Sequence, residues 1–233
     1  MPRFPRLALP DIPYHIIARG NNRDWIFHDD EDFHTYLNIL RSLKSLTQFK
    51  LYHYALMNNH VHLLLEPLTD QWPLAKLIQS LNLRYSYHYK KRYHHVGHLF
   101  QDRFKSLLVD RDIYLLACGA YIELNPVRAH IVEQPECYPF SSFIFYAQGK
   151  PNDLLDPSPV YLDLADSTEA RQNLFSQFVK DQLLQPTYDD RLINQTKAVG
   201  NPVFLHLVQG QSGVPLFKQR RGRPKKSSLA FEK

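Results

Sequence analysis

Residues 57–67 read MNNHVHLLLEP, and this stretch predicts a β-hairpin with two histidines at its turn. The asparagines form a tight connection between the strand that precedes them and the apolar run that follows. Successive side chains of a strand point to opposite faces, so His60 and His62 project together while Val61 and Leu63 enter a core. Two adjacent imidazoles make half of a metal site, although such a pair in a strand is more often structural. The stretch alone leaves both interpretations open.

Sequence patterns on both sides of the hairpin give the element order β-α-β-β-α-β-α. The predicted strands cover residues 13–19, 50–57, 61–66 and 98–109. The predicted helices begin after Asp29 or Asp30, at Pro73, and after Asp110 or Asp112. This order predicts an α+β fold of the ferredoxin-like type, in which a central antiparallel sheet is covered by helices on one face.

The composition changes at residue 151, where a proline-rich linker begins. Beyond it, Asp166 and Glu169 resemble a capping box before an amphipathic helix. The end of the chain is rich in lysine and arginine, which is typical of disordered tails. We therefore expect three parts, namely a core domain over residues 1–150, a mostly helical extension over residues 151–217 and a basic tail over residues 218–233.

Charge and cysteine content limit the partners and the compartment. The net charge of +5 and the pI of about 9.1 suggest an anionic partner, although a modest excess can also serve solubility. Cys118 and Cys137 are the only cysteines, so there is no disulfide framework. No stretch approaches the ~20 apolar residues of a membrane helix. We expect a reduced, cytoplasmic protein that has no membrane partner.

A second pair of candidate residues lies on the third predicted helix. Tyr121 and Asn125 are four positions apart and share one helix face. If this helix packs beside the hairpin, Asn125 completes a ligand set with His60 and His62, and Tyr121 lies one turn away. Two imidazoles and an amide oxygen leave positions open for phosphate oxygens, which suits Mg²⁺ or Mn²⁺. The alternative is a half-buried core tyrosine and an asparagine that caps the helix before Pro126.

Four linked motifs together resemble the HUH-type single-tyrosine transposases, and most of all their REP-associated branch. The motifs are MNNHVHLLLEP at 57–67, GHLFQDRFKS at 97–106, YIELNPVRA at 121–129 and YPFSS at 138–142. The sequence RGNNR at 19–23 also matches, and the likeness extends over residues ~8 to 148 in family order.

This resemblance implies a ferredoxin-like fold, a divalent metal and a tyrosine that attacks single-stranded DNA. The attack would leave a 5′-phosphotyrosine and a free 3′-hydroxyl. By the same resemblance, Tyr121 is the nucleophile, His60 and His62 are metal ligands, and Asn125 takes the third-ligand position, where related enzymes often have glutamine.

Basic residues at strand ends and in two basic stretches are candidates for DNA contacts. In residues 84–95, cations could bind phosphates while tyrosines stack on unpaired bases, but a helix with a tyrosine core stripe and a charged outer face fits equally well. Residues 221–225 read RGRPK and resemble an AT-hook core. The candidates are Arg19, Arg23, Arg84, Lys90, Lys91, Arg92, Arg103, Lys105, Arg221 and Arg223.

Three functions are compatible with these features. The first is a DNA strand transferase that nicks and rejoins single-stranded DNA at hairpin-forming, REP-like repeats. The second is a catalytically silent DNA-binding protein of transposase descent that acts at the same repeats, and the third is a metal-dependent hydrolase of a small phosphate ester. Retention of His60, His62 and Tyr121 together favours the first. The expected partner is single-stranded or hairpin DNA, and the protein is expected to be a monomer or a homodimer. The resemblance also implies a bacterial protein associated with the nucleoid.

Overall fold

A five-stranded sheet carries the candidate residues. The computed structural model describes residues 7, 9–189 and 191–217. The strands are β1 (Tyr14–Arg19), β2 (Phe49–Met57), β3 (His60–Pro67), β4 (Lys105–Val109) and β5 (Ala198–Val199). Their order is β2-β3-β1-β4-β5, and all neighbours are antiparallel except β4 and β5, which are parallel.

Helices connect and cover these strands. In the described part of the chain they are α1 (Asp30–Thr47), α2 (Leu74–Tyr93), α3 (Ile113–Glu123), α4 (Asn125–Arg128), α5 (Phe143–Gln148), α6 (Pro159–Leu162), α7 (Thr168–Leu184), α8 (Leu192–Gln195) and α9 (Pro202–Ser212). Asp29 caps α1 and Asp112 caps α3, because their carboxylates accept hydrogen bonds from backbone N–H groups of the first turn. None of these helices is both long and apolar enough to cross a membrane.

The alternation of side chains along the strands gives the sheet two buried faces. Ile16 and Leu63 pack with the apolar sides of α1 and α2. Ile17 and Leu64 point the other way and pack with α3. The α+β prediction is confirmed, but two details differ from it. Helices cover both faces, since the second face of β1 and β3 is also apolar, and β5 adds a parallel strand to the antiparallel set.

The hairpin that carries the histidines is fixed by the segment after β1. The backbone N–H groups of Ile26 and Phe27 donate to the carbonyl of Asn58, and the N–H of Gly20 donates to the carbonyl of Asn59 at 2.8 Å. Gly20 has no room for a side chain, because a Cβ there would lie 2.2 Å from the carbonyl oxygen of Asp24. The turn before His60 is therefore held in one position relative to β1.

Two sequence predictions about element boundaries are wrong. The strand predicted over residues 98–109 begins only at Lys105, because Gly97 and Asp102 have φ angles of 102° and 51° that turn the backbone out of an extended course. Helix α7 is capped by Ser167, whose hydroxyl accepts from the N–H of Ala170 at 3.2 Å, and not by Asp166.

The residues beyond 151 pack on the core. Strand β5 pairs with β4, and α7 contacts both α3 and α5. Leu116 and Ala120 of α3 share a buried cluster with Phe175 and Val179 of α7. Helix α3 is consequently enclosed between the sheet and the extension. The basic tail predicted at 218–233, with Arg221 and Arg223, lies outside the described residues.

Candidate active site at the histidine hairpin

The two histidines of β3 lie side by side on the face of the sheet that α3 covers. Their ring centroids are 4.9 Å apart. Across the ladder to β1, His60 is opposite Arg19 and His62 is opposite Ile17. His62 is buried and His60 is partly exposed. The predicted projection of both imidazoles to one side is confirmed.

Each of these imidazoles uses its Nδ1 atom within the protein. His60 Nδ1 is 2.6 Å from Asn59 Oδ1, and His62 Nδ1 is 2.8 Å from His15 Nε2. Burial, together with the positive charge of Arg19, lowers the pKa of His60 to about 4. Burial also lowers the pKa of His62 well below its ordinary value. Both rings are therefore neutral, which is the form that binds metal, and Nε2 is the nitrogen left for a ligand.

Tyr121 approaches the histidines from α3. The centroid of its ring is 6.1 Å from that of His62 and 6.1 Å from that of His15. The ring of Tyr188 lies on another side at 5.4 Å, and the guanidinium of Arg128 stacks over Tyr121 at 4.7 Å. The structure thus brings the predicted nucleophile and the predicted ligand pair into one site, although more than fifty residues separate them in sequence.

Asn125 stands at the break between α3 and α4. Its side-chain amide nitrogen donates to the carbonyls of Tyr121 at 2.8 Å and Ile122 at 3.2 Å. It therefore satisfies carbonyls at the end of α3, where Pro126 cannot supply a backbone N–H. The third-ligand role of its amide oxygen stays a prediction.

A metal at this site would have to share its coordination with other ligands. Among the described residues, no group of three or more His, Cys, Asp or Glu side chains is arranged to hold an ion. His60 and His62 offer two neutral nitrogens, and an amide oxygen from Asn125 would be the third. This donor set fits a cation that keeps positions for water and phosphate oxygens.

Sequence reasoning missed three neighbours of this site. Strand alternation places His15 on the same face of β1 as Ile17 and Arg19, but only the register between β1 and β3 brings it beside His62. Arg128 is seven positions after Tyr121 and follows it by about two helical turns. Tyr188 lies between α7 and α8, and nothing in its local sequence marks it.

Four of the predicted DNA contacts gather beside the histidines. Arg19, Arg23, Arg103 and Lys105 line a cleft of about 270 Å³. The cleft begins at the end of β1, where Arg19 pairs with His60. A positively charged cleft of this kind can guide the phosphates that flank a reacting nucleotide.

The basic stretch at the end of α2 is mixed in character. Arg92 is bound by Asp29 at 2.6 Å and by the buried Asp32 at 2.8 Å, which favours a structural role for this arginine. Tyr85 and Tyr89 are buried, as the alternative interpretation of a core stripe predicts.

The other candidates on α2 face outward. Lys90 and Arg103 line a second cavity, of about 650 Å³, between α2 and the segment before β4. Lys91 is exposed, and Arg84 is exposed and donates to the hydroxyl of Ser42. Lys90, Lys91 and Arg84 therefore remain candidates for phosphate contact.

A comparison with solved structures agrees with the fold. The solved structure of a REP-associated tyrosine transposase bound to a REP hairpin superposes with a TM-score of 0.56 and 16% identity, covering 68% of this chain and 96% of that chain, and so shows the same fold. A protein from Deinococcus radiodurans R1 assigned to the transposases matches with a TM-score of 0.37 and 21% identity over 55% of this chain and 92% of that chain. A search of functionally curated proteins found none with significant similarity.

The family assignment comes from a comparison with models of protein families. The model described as "Transposase IS200 like" matches residues 8–125. The matched segment is half of the chain and contains His60, His62 and Tyr121. The chain belongs to the IS200-like transposase family.

Proposed function

We propose that this protein is a DNA strand transferase that cuts and rejoins single-stranded DNA through Tyr121 at hairpin-forming, REP-like repeats. The observation that carries the proposal is that Tyr121 lies beside the histidine pair: the centroid of the Tyr121 ring is 6.1 Å from that of the His62 ring. A protein that only binds DNA needs neither a tyrosine nor neutral imidazoles at such a point. The family membership supports DNA as the partner.

In the proposed reaction, the Tyr121 oxygen attacks a phosphorus atom of the DNA backbone and the bond from that phosphorus to the 3′-oxygen breaks. The phenol proton passes to solvent, and the departing 3′-oxygen takes a proton from water. The 5′-phosphate stays on Tyr121 as a diester, so the bond energy is retained. Attack by a 3′-hydroxyl on the same phosphorus then rejoins the strand and releases the tyrosine.

The other side chains of the site position these groups. A Mg²⁺ or Mn²⁺ ion held by Nε2 of His60 and His62, with Asn125 as the third ligand, would supply positive charge that polarises the scissile phosphate. Arg128 places a second positive charge against the Tyr121 ring. Asn125 also fixes the last turn of α3, on which Tyr121 stands.

The basic cleft supports a polyanionic substrate. It is lined by Arg19, Arg23, Arg103 and Lys105 and adjoins the site through Arg19. Such contacts fix the register of a strand without reading its sequence. The similar structure bound to a REP hairpin makes a hairpin the first substrate to test.

The test is to incubate the full chain with Mn²⁺ and hairpin oligonucleotides labelled at either end. The 3′-labelled strand should become attached to protein on a denaturing gel, and the 5′-labelled strand should yield a shorter, free product. Tyr121→Phe should abolish the adduct. Tyr114→Phe, on the same helix, is the matched control and should retain it.

Other outcomes would decide between the remaining functions. An adduct that persists in Tyr121→Phe would exclude Tyr121 as the nucleophile. A hairpin that binds but is cut with neither Mn²⁺ nor Mg²⁺ would favour the catalytically silent binder. Turnover of a small phosphate ester without any covalent adduct would favour the hydrolase.

A further inference from the structure

We propose that His15 and Tyr188 are positioning residues that fix which nitrogen of His62 carries the proton, and thereby set the affinity of the site for a divalent cation. The inference rests on the proposed function, because it assigns His62 as a metal ligand. Tyr188 lies beyond residues 8–125, the segment that the family model matches. The C-terminal extension would therefore complete the metal site without supplying a ligand.

A continuous row of hydrogen bonds runs inward from His62. His62 Nδ1 and His15 Nε2 are 2.8 Å apart, and His15 Nδ1 and the Tyr188 hydroxyl are also 2.8 Å apart. The Tyr188 hydroxyl further hydrogen-bonds the side chain of Cys118 on α3. His15, His62 and Tyr188 are only 0%, 1% and 2% exposed, so water does not compete for these contacts.

This row of groups can be protonated in two directions. In the first, His62 Nδ1–H donates to His15 Nε2, His15 Nδ1–H donates to the Tyr188 oxygen, and the Tyr188 hydroxyl donates to Cys118. In the second, every donor and acceptor is exchanged, and the remaining proton of His62 sits on Nε2. Only the first direction leaves His62 Nε2 with a free lone pair for a cation.

Tyr188 stabilises the tautomer of the buried His15 that the first direction requires. Its oxygen accepts the proton of His15 Nδ1, which would otherwise be a buried N–H without a partner. With phenylalanine at this position, His15 is expected to move its proton to Nε2 and to donate to His62. The proton of His62 is then forced onto Nε2, where it blocks metal binding.

The first experiment measures metal binding without DNA and without catalysis. Mn²⁺ is titrated into the full chain and free Mn²⁺ is followed by electron paramagnetic resonance. Tyr188→Phe should weaken binding by about 10- to 100-fold, the usual effect of losing an outer-shell partner. Tyr161→Phe is the matched control, because it removes another buried tyrosine hydroxyl of the extension, which donates to the carbonyl of Tyr146 at 2.9 Å. It should leave Mn²⁺ affinity unchanged.

The second experiment observes the proton itself in the metal-free protein. Nitrogen-15 NMR of labelled histidine should show His62 protonated on Nδ1 in the wild type and shifted towards the Nε2 tautomer in Tyr188→Phe. Should that variant fold poorly, His15→Phe removes the same support for His62 and should weaken Mn²⁺ binding at least as much.

The two readouts separate this inference from the proposed function. If His60→Ala and His62→Ala leave Mn²⁺ binding unchanged, the metal role in the proposed function fails, and the NMR result alone judges the positioning role. If wild type binds Mn²⁺ through both histidines but Tyr188→Phe changes neither affinity nor the His62 tautomer, the positioning role is overturned while the proposed function stands.

Discussion

Arg128 lies over the ring of the proposed nucleophile and is held there by the chain around it. Its guanidinium donates to the carbonyl of Gln182 at 3.2 Å and to that of Tyr121 at 3.4 Å. Cation–π contacts contribute ~0.5–2 kcal/mol, so Arg128→Met is expected to slow adduct formation by about fivefold. The measurement is the single-turnover rate with saturating hairpin DNA. An unchanged rate would mean that Arg128 has only a structural role, as a contact between α4 and α7.

His15 and His60 make the stability of the protein depend on pH in a definite direction. Burial lowers the pKa of His15 to about 3 and that of His60 to about 4, below their ordinary value of 6.5. At a pH between the lowered pKa of a histidine in the folded protein and its ordinary value of 6.5, the unfolded chain binds more protons than the folded one. Acid therefore favours unfolding. The contribution of each histidine to stability is fully present above pH 6.5. It is lost by up to ~1.4 kcal/mol per pH unit as the pH falls, down to about 4 for His60 and about 3 for His15.

Urea unfolding of the metal-free protein at pH 7, 6 and 5 measures this dependence. In His60→Gln, the free energy of unfolding should fall less steeply with falling pH, because one histidine no longer takes up a proton on unfolding. The matched control is His34→Gln, at an exposed position on α1, which should keep the wild-type slope. Equal slopes in His60→Gln and the wild type would mean that His60 is not held neutral by the fold.

The sequence was sufficient to place His60 and His62 side by side, but it did not reveal the residues that contact them. His60 and His62 follow from strand alternation, because the period of two is a local property of the chain. His15 needs the register between β1 and β3, which places it diagonally across from His62. Tyr188 needs the path of the extension over α3, a long-range feature that no local pattern encodes.

Helix α3 is positioned by a buried polar contact with β2. His53 and Glu123 are both fully buried, with His53 Nδ1 2.8 Å from Glu123 Oε1, and the Ser142 hydroxyl donates to the same oxygen at 2.6 Å. Gly119 permits this approach, because a Cβ there would lie 2.5 Å from His53 Nε2. The His53 ring also stacks on Tyr146 at 4.3 Å and so cannot easily move away.

Gly119→Ala is therefore expected to displace α3 from the sheet. Overpacking of this kind costs ~1–3 kcal/mol of stability, and adduct formation should fall as well because Tyr121 stands on the same helix. Gly210→Ala is the matched control, since a Cβ within α9 meets no atom within 4 Å. There the alanine should stabilise the protein by ~0.5–1 kcal/mol. A neutral Gly119→Ala in urea unfolding would show that α3 can shift without cost.

At the level of elements, prediction failed where backbone conformation or competing caps decided the outcome. Residues 98–104 have the composition of a strand, but the left-handed backbone at Asp102 prevents an extended conformation there. Asp166 and Ser167 are both good capping residues, and the structure selects Ser167 through its bond to Ala170. Asp29 and Asp112 were correctly among the predicted caps, because each directly precedes a clear helical pattern.

The charge of the whole molecule predicts how DNA binding responds to salt. If residues 218–226 contact phosphates, their deletion should reduce the slope of log affinity against log salt, measured with a fluorescent hairpin. Arg103→Ala, in the cleft beside the histidines, should reduce the slope by ~0.7–0.9 for the single phosphate that it would release. A slope that is unchanged after the deletion would exclude the tail from phosphate binding.

We expect the extension to be required for the fold of the domain that precedes it. Helix α3 buries apolar side chains on opposite sides, with Leu115 and Ile122 in the cluster against the sheet and Leu116 and Ala120 in the cluster with α7. A fragment that ends at residue 150 would expose the second side and would also lose Tyr188. We expect this fragment to aggregate or to unfold without a cooperative transition, as followed by circular dichroism and size-exclusion chromatography. Cooperative unfolding of the fragment, together with wild-type affinity for Mn²⁺, would show that the extension is dispensable for both the core and the metal site.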